Sequence, residues 1–172
     1  MPLKTREFNL SDEVDRLTEE MEEYAQTQAE APFGSDAAQQ AAGMGQRAER
    51  FRSGLNWAIE EWGVESITFS AHTSGERHRV RDVADEIGAE LSDAYVAAGT
   101  YEAPYLEHDP EAIKPSEIRN TAKNVVDAHP AFVDWAESKI SDLARVDGDT
   151  GKSYRALVLE RRIQASSPSE SG

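Results

Sequence analysis

Apolar residues along most of this chain recur every three to four positions, the spacing that lines one face of an α-helix. The first such run holds Val14, Leu17, Met21 and Tyr24, behind a Ser11-Asp12-Glu13 segment that reads as an N-cap followed by first-turn acids. Segment 27–45 is rich in Ala and Gln and is interrupted by Pro32, Gly34, Gly43 and Gly45, so it reads as a mobile linker or as a second helix that frays. From Gln46 the pattern tightens. Phe51, Leu55, Ile59 and Trp62 share one helical face, Trp57 lies on its flank, and Gly63 supplies a C-terminal stop.

Segment 64–71 alternates instead, with Ile67 and Phe69 on one side and Thr68 and Ser70 on the other, as a half-buried strand does. A strand this short needs a pairing partner. The best remaining β-rich run is 154–159, for which a helical reading is equally open. Thr73-Ser74-Gly75-Glu76 fits a capping box, and Val80, Val83, Ala84 and Ile87 carry the following stripe to Gly88. Leu91, Ala94, Tyr95 and Ala98 predict a short helix ended by Gly99, and Pro104, Pro110 and Pro115 punctuate a loop over 101–115. Segment 116–128 carries Ile118, Ala122, Val125 and Val126. Pro130 opens a strong helix with Phe132, Trp135, Ala136, Ile140 and Leu143, closed by Asp147-Gly148. Segment 165–172 has no core formers and reads as disordered.

These elements predict a mainly α fold, a bundle of about five to six helices with one short strand or a small β-hairpin element. The expected organisation is an N-terminal helix and mobile linker over 1–45, a helical core over 46–148, and a C-terminal segment with a disordered tail over 149–172. A chain of 172 residues is the size of one ordinary domain. At 38% hydrophobic residues and a mean hydropathy of −0.66, its core is modest.

Charge changes the picture more. The 33 Asp and Glu against 18 Lys and Arg give a formal net charge of −15, and the acids are spread along the whole length. Self-repulsion of this kind is relieved by concentrated salt, which shortens the Debye length to roughly 3 Å at 1 M. Only five of the 18 basic residues are lysines, a balance similar to that of proteins from salt-rich cytoplasms of halophilic archaea and their viruses. The acidic field disfavours nucleic acid as a partner, and no basic stripe with interleaved aromatics opposes it. No apolar run approaches the ~20 residues of a membrane span, and no signal sequence is evident, so a cytoplasmic protein is expected. With no cysteine, disulfides, thiolate nucleophiles and Cys-based zinc sites are all excluded.

Chemistry-bearing patterns are weak. His72, His78, His108 and His129 share no three- or four-residue helical spacing, so no metal site is expected. Neighbouring acids such as Glu60-Glu61 and Glu22-Glu23 follow from composition alone. Gly151-Lys152-Ser153 has the ending of a phosphate-binding loop, but Val146 occupies the position where the motif requires its first glycine. Asp147, Asp149 and Gly151 lack the bidentate Glu of a calcium loop. The expectation is a non-enzyme with no cofactor. Trp57, Trp62 and Trp135 lie on stripes one face wide, so closing the core is their first role. The candidate partner-binding residues are Trp57, Trp62, Tyr95, Tyr101, Tyr105 and Leu106, the last three in a proline-rich loop suited to docking another protein.

Segment 67–146 resembles the tail assembly chaperones of tailed viruses, the XkdN-like group. One point of likeness is a short strand running into a Thr/Ser-x-x-Glu helix start, Ile67-Thr68-Phe69-Ser70-Ala71-His72-Thr73-Ser74-Gly75-Glu76. The second is the small-residue segment Tyr95-Val96-Ala97-Ala98-Gly99-Thr100-Tyr101-Glu102-Ala103-Pro104-Tyr105-Leu106, followed by closing helices over 132–146. The resemblance covers just under half of the chain, and the N-terminal helices have no counterpart in it. It implies a non-catalytic role: binding the tape measure protein in the host cytoplasm and helping to recruit tail tube subunits, with self-association into a homo-oligomer a further expectation. A structural neck or tail adaptor retained in the virion is the alternative expectation.

Overall fold

In the computed structural model the described residues are 4–107, 117–145 and 154–166. They form β1 (Thr5–Asn9), α1 (Leu10–Glu30), α2 (Asp36–Trp62), β2 (Ser66–Ser70), α3 (Ser74–Ile87), α4 (Leu91–Gly99), β3 (Thr100–Glu102), α5 (Ile118–Val126), α6 (Pro130–Ala144) and α7 (Tyr154–Ser166). The fold is mainly helical with a small three-stranded antiparallel sheet, as the periodicity predicts.

The sheet is where expectation and structure part. β2 is central in the order β1-β2-β3, and its partners are the N-terminal segment and the residues that follow α4. Segment 154–159 is the start of helix α7 instead. β1 escapes sequence reading because only Phe8 of its five residues is buried, so it shows no alternation of hydrophobicity. Its register sets Phe8 opposite Ile67 and Asn9 opposite Ser66. β3 claims Tyr101 from the predicted loop and pairs Thr100 with Phe69. Asn9, not Ser11, caps α1, its side chain accepting from the Asp12 amide at 3.0 Å. The Leu10 amide donates to the Glu65 carbonyl at 2.9 Å, so strand and helix follow one another without a loop.

Segment 27–45 is helical except at one turn, which corrects the mobile-linker reading. Pro32 and Gly34 make the turn: the Ser35 amide donates to the Pro32 carbonyl at 3.0 Å and Gly34 takes a φ of 75°. Ser35 then caps α2, which runs unbroken past the expected boundary at residue 45. Gly43 and Gly45 each cost a helix about 1 kcal/mol relative to alanine. Tertiary packing offsets that cost, because Ala38, Ala41 and Ala48 are buried along the same helix and their small side chains permit close packing in the α1–α2 hairpin.

Elsewhere local signals hold. Gly63 ends α2 in the left-handed region at φ 62°. The capping box at α3 is reciprocal, Glu76 N to Thr73 Oγ1 at 3.2 Å and Thr73 N to Glu76 Oε2 at 2.6 Å. α6 occupies the middle of the core. Trp135 is fully buried there, its ring 5.6 Å from Phe69, 5.7 Å from Phe132 and 5.9 Å from Phe8, so one indole links β1 and β2 to the bundle. The Gly-Lys-Ser segment, His108, Pro110 and Pro115 lie outside the described residues, as does 167–172 of the expected tail; residues 165 and 166 close α7.

Candidate docking surface

Three of the six expected anchors meet at the C-terminal end of α2. Trp57 and Trp62 lie five residues apart with their rings edge to face at 4.9 Å. Trp62 also meets Phe132 edge to face at 4.9 Å and Tyr105 at 5.2 Å, and Trp57 lies 5.9 Å from His129. His129 is held by its capping role, its Nδ1 accepting from the Ala131 amide at 3.1 Å. Both indoles are half-buried against the core, so the cluster closes the bundle on one side and faces solvent on the other.

Tyr105 does not serve as an exposed anchor. It is 5% exposed, its hydroxyl pairs with Thr100 Oγ1 at 3.0 Å, and its carbonyl accepts from Asn124 Nδ2 at 3.1 Å. Burial pushes its phenol well above the ordinary tyrosine range, against the smaller opposing effect of the Thr100 bond. The core claims it because Trp62 and Phe132 flank it; the sequence displays only its loop, not those neighbours. Leu106 is half-buried beside it. Tyr101 points outward from the edge strand β3 at 38% exposure. Tyr95 sits in α4, half-buried, its hydroxyl 3.2 Å from Ser141 Oγ and its ring 4.2 Å from His72, which donates through Nε2 to the Tyr95 carbonyl at 2.9 Å.

Further apolar side chains are exposed beyond the expected anchors. Phe33 projects fully into solvent from the α1–α2 turn, above a cleft of about 590 Å³ lined mainly by alanines. In α7 no described residue is buried: Tyr154 is 83% exposed, Ile163 66%, and Leu157 and Leu159 also face solvent. The signal in the sequence was the apolar run itself, which β-propensity made ambiguous.

The most enclosed charge cluster is structural in its chemistry. Glu13, 12% exposed, pairs with Lys139 Nζ at 3.2 Å and Arg16 Nη2 at 2.9 Å, accepts from Trp135 Nε1 at 3.4 Å, and Arg16 also pairs with Glu20. Burial alone would raise the Glu13 carboxyl pKa; Arg16 and Lys139 together outweigh it and hold the pKa below its ordinary value. A depressed carboxylate adds stability that is present above its unfolded-state pKa and is lost as pH falls through the folded one. Glu13→Gln is therefore expected to flatten the fall in stability below about pH 4.5 that the native chain undergoes. Chemical denaturation across that range checks this, and an unchanged pH slope counts against the assignment.

Among the described residues no group of three or more His, Asp and Glu side chains is placed to hold a metal ion, and no helix is long and apolar enough to cross a membrane. Comparison with known protein families, with characterised proteins and with solved structures gives no match to this chain.

Proposed function

We propose that this chain is a non-catalytic protein-binding factor of viral tail assembly, a chaperone that keeps the tape measure protein soluble in a salt-rich host cytoplasm. The observation that carries the binding reading is α7, a helix presenting Tyr154, Leu157, Leu159 and Ile163 to solvent on a chain that is otherwise highly charged. Exposed apolar groups clustered on one element mark a surface that another molecule covers. The half-buried indoles of Trp57 and Trp62 offer a second, rigid aromatic patch, and aromatics dominate the energetics of such contacts. The tail-assembly reading draws its support from the resemblance in segment 67–146. The acidic surface suits a solubilising coat, because like-charged complexes repel one another.

The test is affinity purification of the tagged full chain, in molar salt, from cells co-expressing candidate tail proteins, beside the protein composition of mature particles. Recovery of a long tape-measure-like chain, with this protein absent from particles, supports the chaperone. Stable incorporation into particles makes it a neck or tail adaptor. Replacing Leu157 and Ile163 together by Asp is expected to weaken recovery of the partner at least about tenfold, since buried anchors carry most of an interface's energy. The thermal midpoint should barely move, as neither side chain is buried in the free chain. Undiminished recovery would remove α7 from the binding surface.

A further inference from the structure

Arg77, His78, Arg79 and Arg81 fall within five positions in the first turns of α3, on a chain of formal net charge −15. All four are exposed. Of the neighbouring acids, Glu86 pairs with Arg119 at 2.9 Å, while Glu76 and Asp93 accept backbone N–H groups at helix starts, Asp93 from the Glu90 amide at 3.2 Å. Asp82 and Asp85 remain on the helix, yet Arg77, Arg79 and Arg81 form no ion pair within 4.0 Å among the described residues. Three such exposed arginines place cations without an ion pair among the described residues beside the partial positive charge of the α3 N-terminus, on a surface that is otherwise acid-rich.

The cations border an apolar cleft. Arg77, His78 and Arg81 stand along one wall, with Val80, Leu91 and Tyr95 completing the lining, around a volume of about 300 Å³. Leu91 is 51% exposed, although it opens a helix whose other apolar residues are largely buried. The Tyr95 ring is fixed by its contacts with His72 and Ser141, so the floor is preformed. A cleft of this size accommodates one or two side chains of a partner.

We infer that this cleft docks an acidic segment of a partner protein that carries an apolar side chain among its carboxylates. Guanidinium groups meet carboxylates in bidentate pairs, which a point charge does not reproduce, and Arg77 and Arg81 lie one helical turn apart on the same face. The apolar side chain seats on Leu91 and Tyr95. A nucleic acid presents the same anionic chemistry without that side chain, and its extended phosphate backbone meets the acidic remainder of the surface. The inference rests on the protein-binding reading but not on the partner being a tape measure protein.

The test is fluorescence anisotropy of the full chain with three labelled probes at matched salt. They are a short peptide alternating Glu with Leu and Phe, the same peptide with Gln in place of Glu, and an oligothymidylate of equal charge. Only the acidic peptide is expected to bind, and Arg77→Ala with Arg81→Ala should weaken it at least about tenfold. Leu91→Ser should weaken it as well, while Leu157→Asp in α7 should leave it unchanged, which separates failure of this site from failure of the α7 surface. Circular dichroism confirms that the variants fold. Absence of peptide binding, binding indifferent to the arginine pair, or binding lost through Leu157→Asp would each overturn the assignment. Equal affinity for the oligothymidylate, with the same dependence on the two arginines, would also overturn it and make the cleft a nucleic-acid phosphate site.

Discussion

Gly54→Ala is expected to destabilise the fold by about 2–3 kcal/mol, even though alanine is the better helix former. Gly54 lies buried within α2, where the first turn of α6 crosses it. A Cβ added there overlaps the backbone of Ala131 and Phe132, standing 2.8 Å from the Ala131 carbonyl oxygen. Two effects oppose one another. Alanine gains about 1 kcal/mol of helix propensity, but the obstructing atoms are backbone and have no rotamer to change. The overlap therefore wins, and the helices must separate. Gly43, in the same helix, supplies the control. A Cβ there meets nothing within 4 Å, so Gly43→Ala retains the propensity gain and should raise stability by about 0.5–1 kcal/mol. Thermal unfolding of the two variants should move in opposite directions, down by roughly 4–12 °C for Gly54→Ala and up by roughly 1–4 °C for Gly43→Ala. Equal shifts would mean that α2 and α6 do not cross at Gly54.

Trp135→Ala should cost about 3–5 kcal/mol, a large share of the total stability of an ordinary domain. The indole is fully buried, three aromatic rings surround it, and its removal also deprives Glu13 of a donor. Trp135→Phe keeps the ring contacts and loses only the N–H and part of the volume, so its effect should be milder. Trp57→Ala provides the comparison, since that indole is half-buried at the edge of the core and truncation leaves no enclosed cavity. Guanidinium denaturation should rank the three as Trp135→Ala, then Trp57→Ala and Trp135→Phe. A Trp135→Ala midpoint no lower than that of Trp57→Ala would show that α6 is not the centre of the core.

Helices whose signals are local were legible in the order of residues alone. The stop at Gly63, the capping box at Thr73, the Pro130 start and the stripes of α3 and α6 all work through residues within one or two turns of each other. The Ala-rich half of α2 was not legible, because its stability comes from burying small residues against α1 and not from its own propensities. The docking residues were legible only as types. Sequence placed Trp57 and Trp62 on one helix and Tyr105 in a proline-rich loop, but their clustering, and the loss of Tyr105 to the core, depend on where α6 places Phe132. That Arg77, His78 and Arg81 border an apolar cleft with Leu91 and Tyr95 depends on the α3–α4 packing, which no run of neighbours along the chain encodes.

Taken alone, the amino-acid sequence determined the helical class, the ends of four helices and the strongly acidic surface, because periodicity, caps and charge are properties of neighbours along the chain. Tertiary structure decided which strands pair, which aromatics are buried and which remain exposed. β1 carries one buried side chain, and its pairing with β2 is specified by backbone hydrogen bonds and by Phe8 meeting Phe69 and Trp135. Such contacts join residues more than fifty positions apart, and no local pattern encodes a partner at that separation.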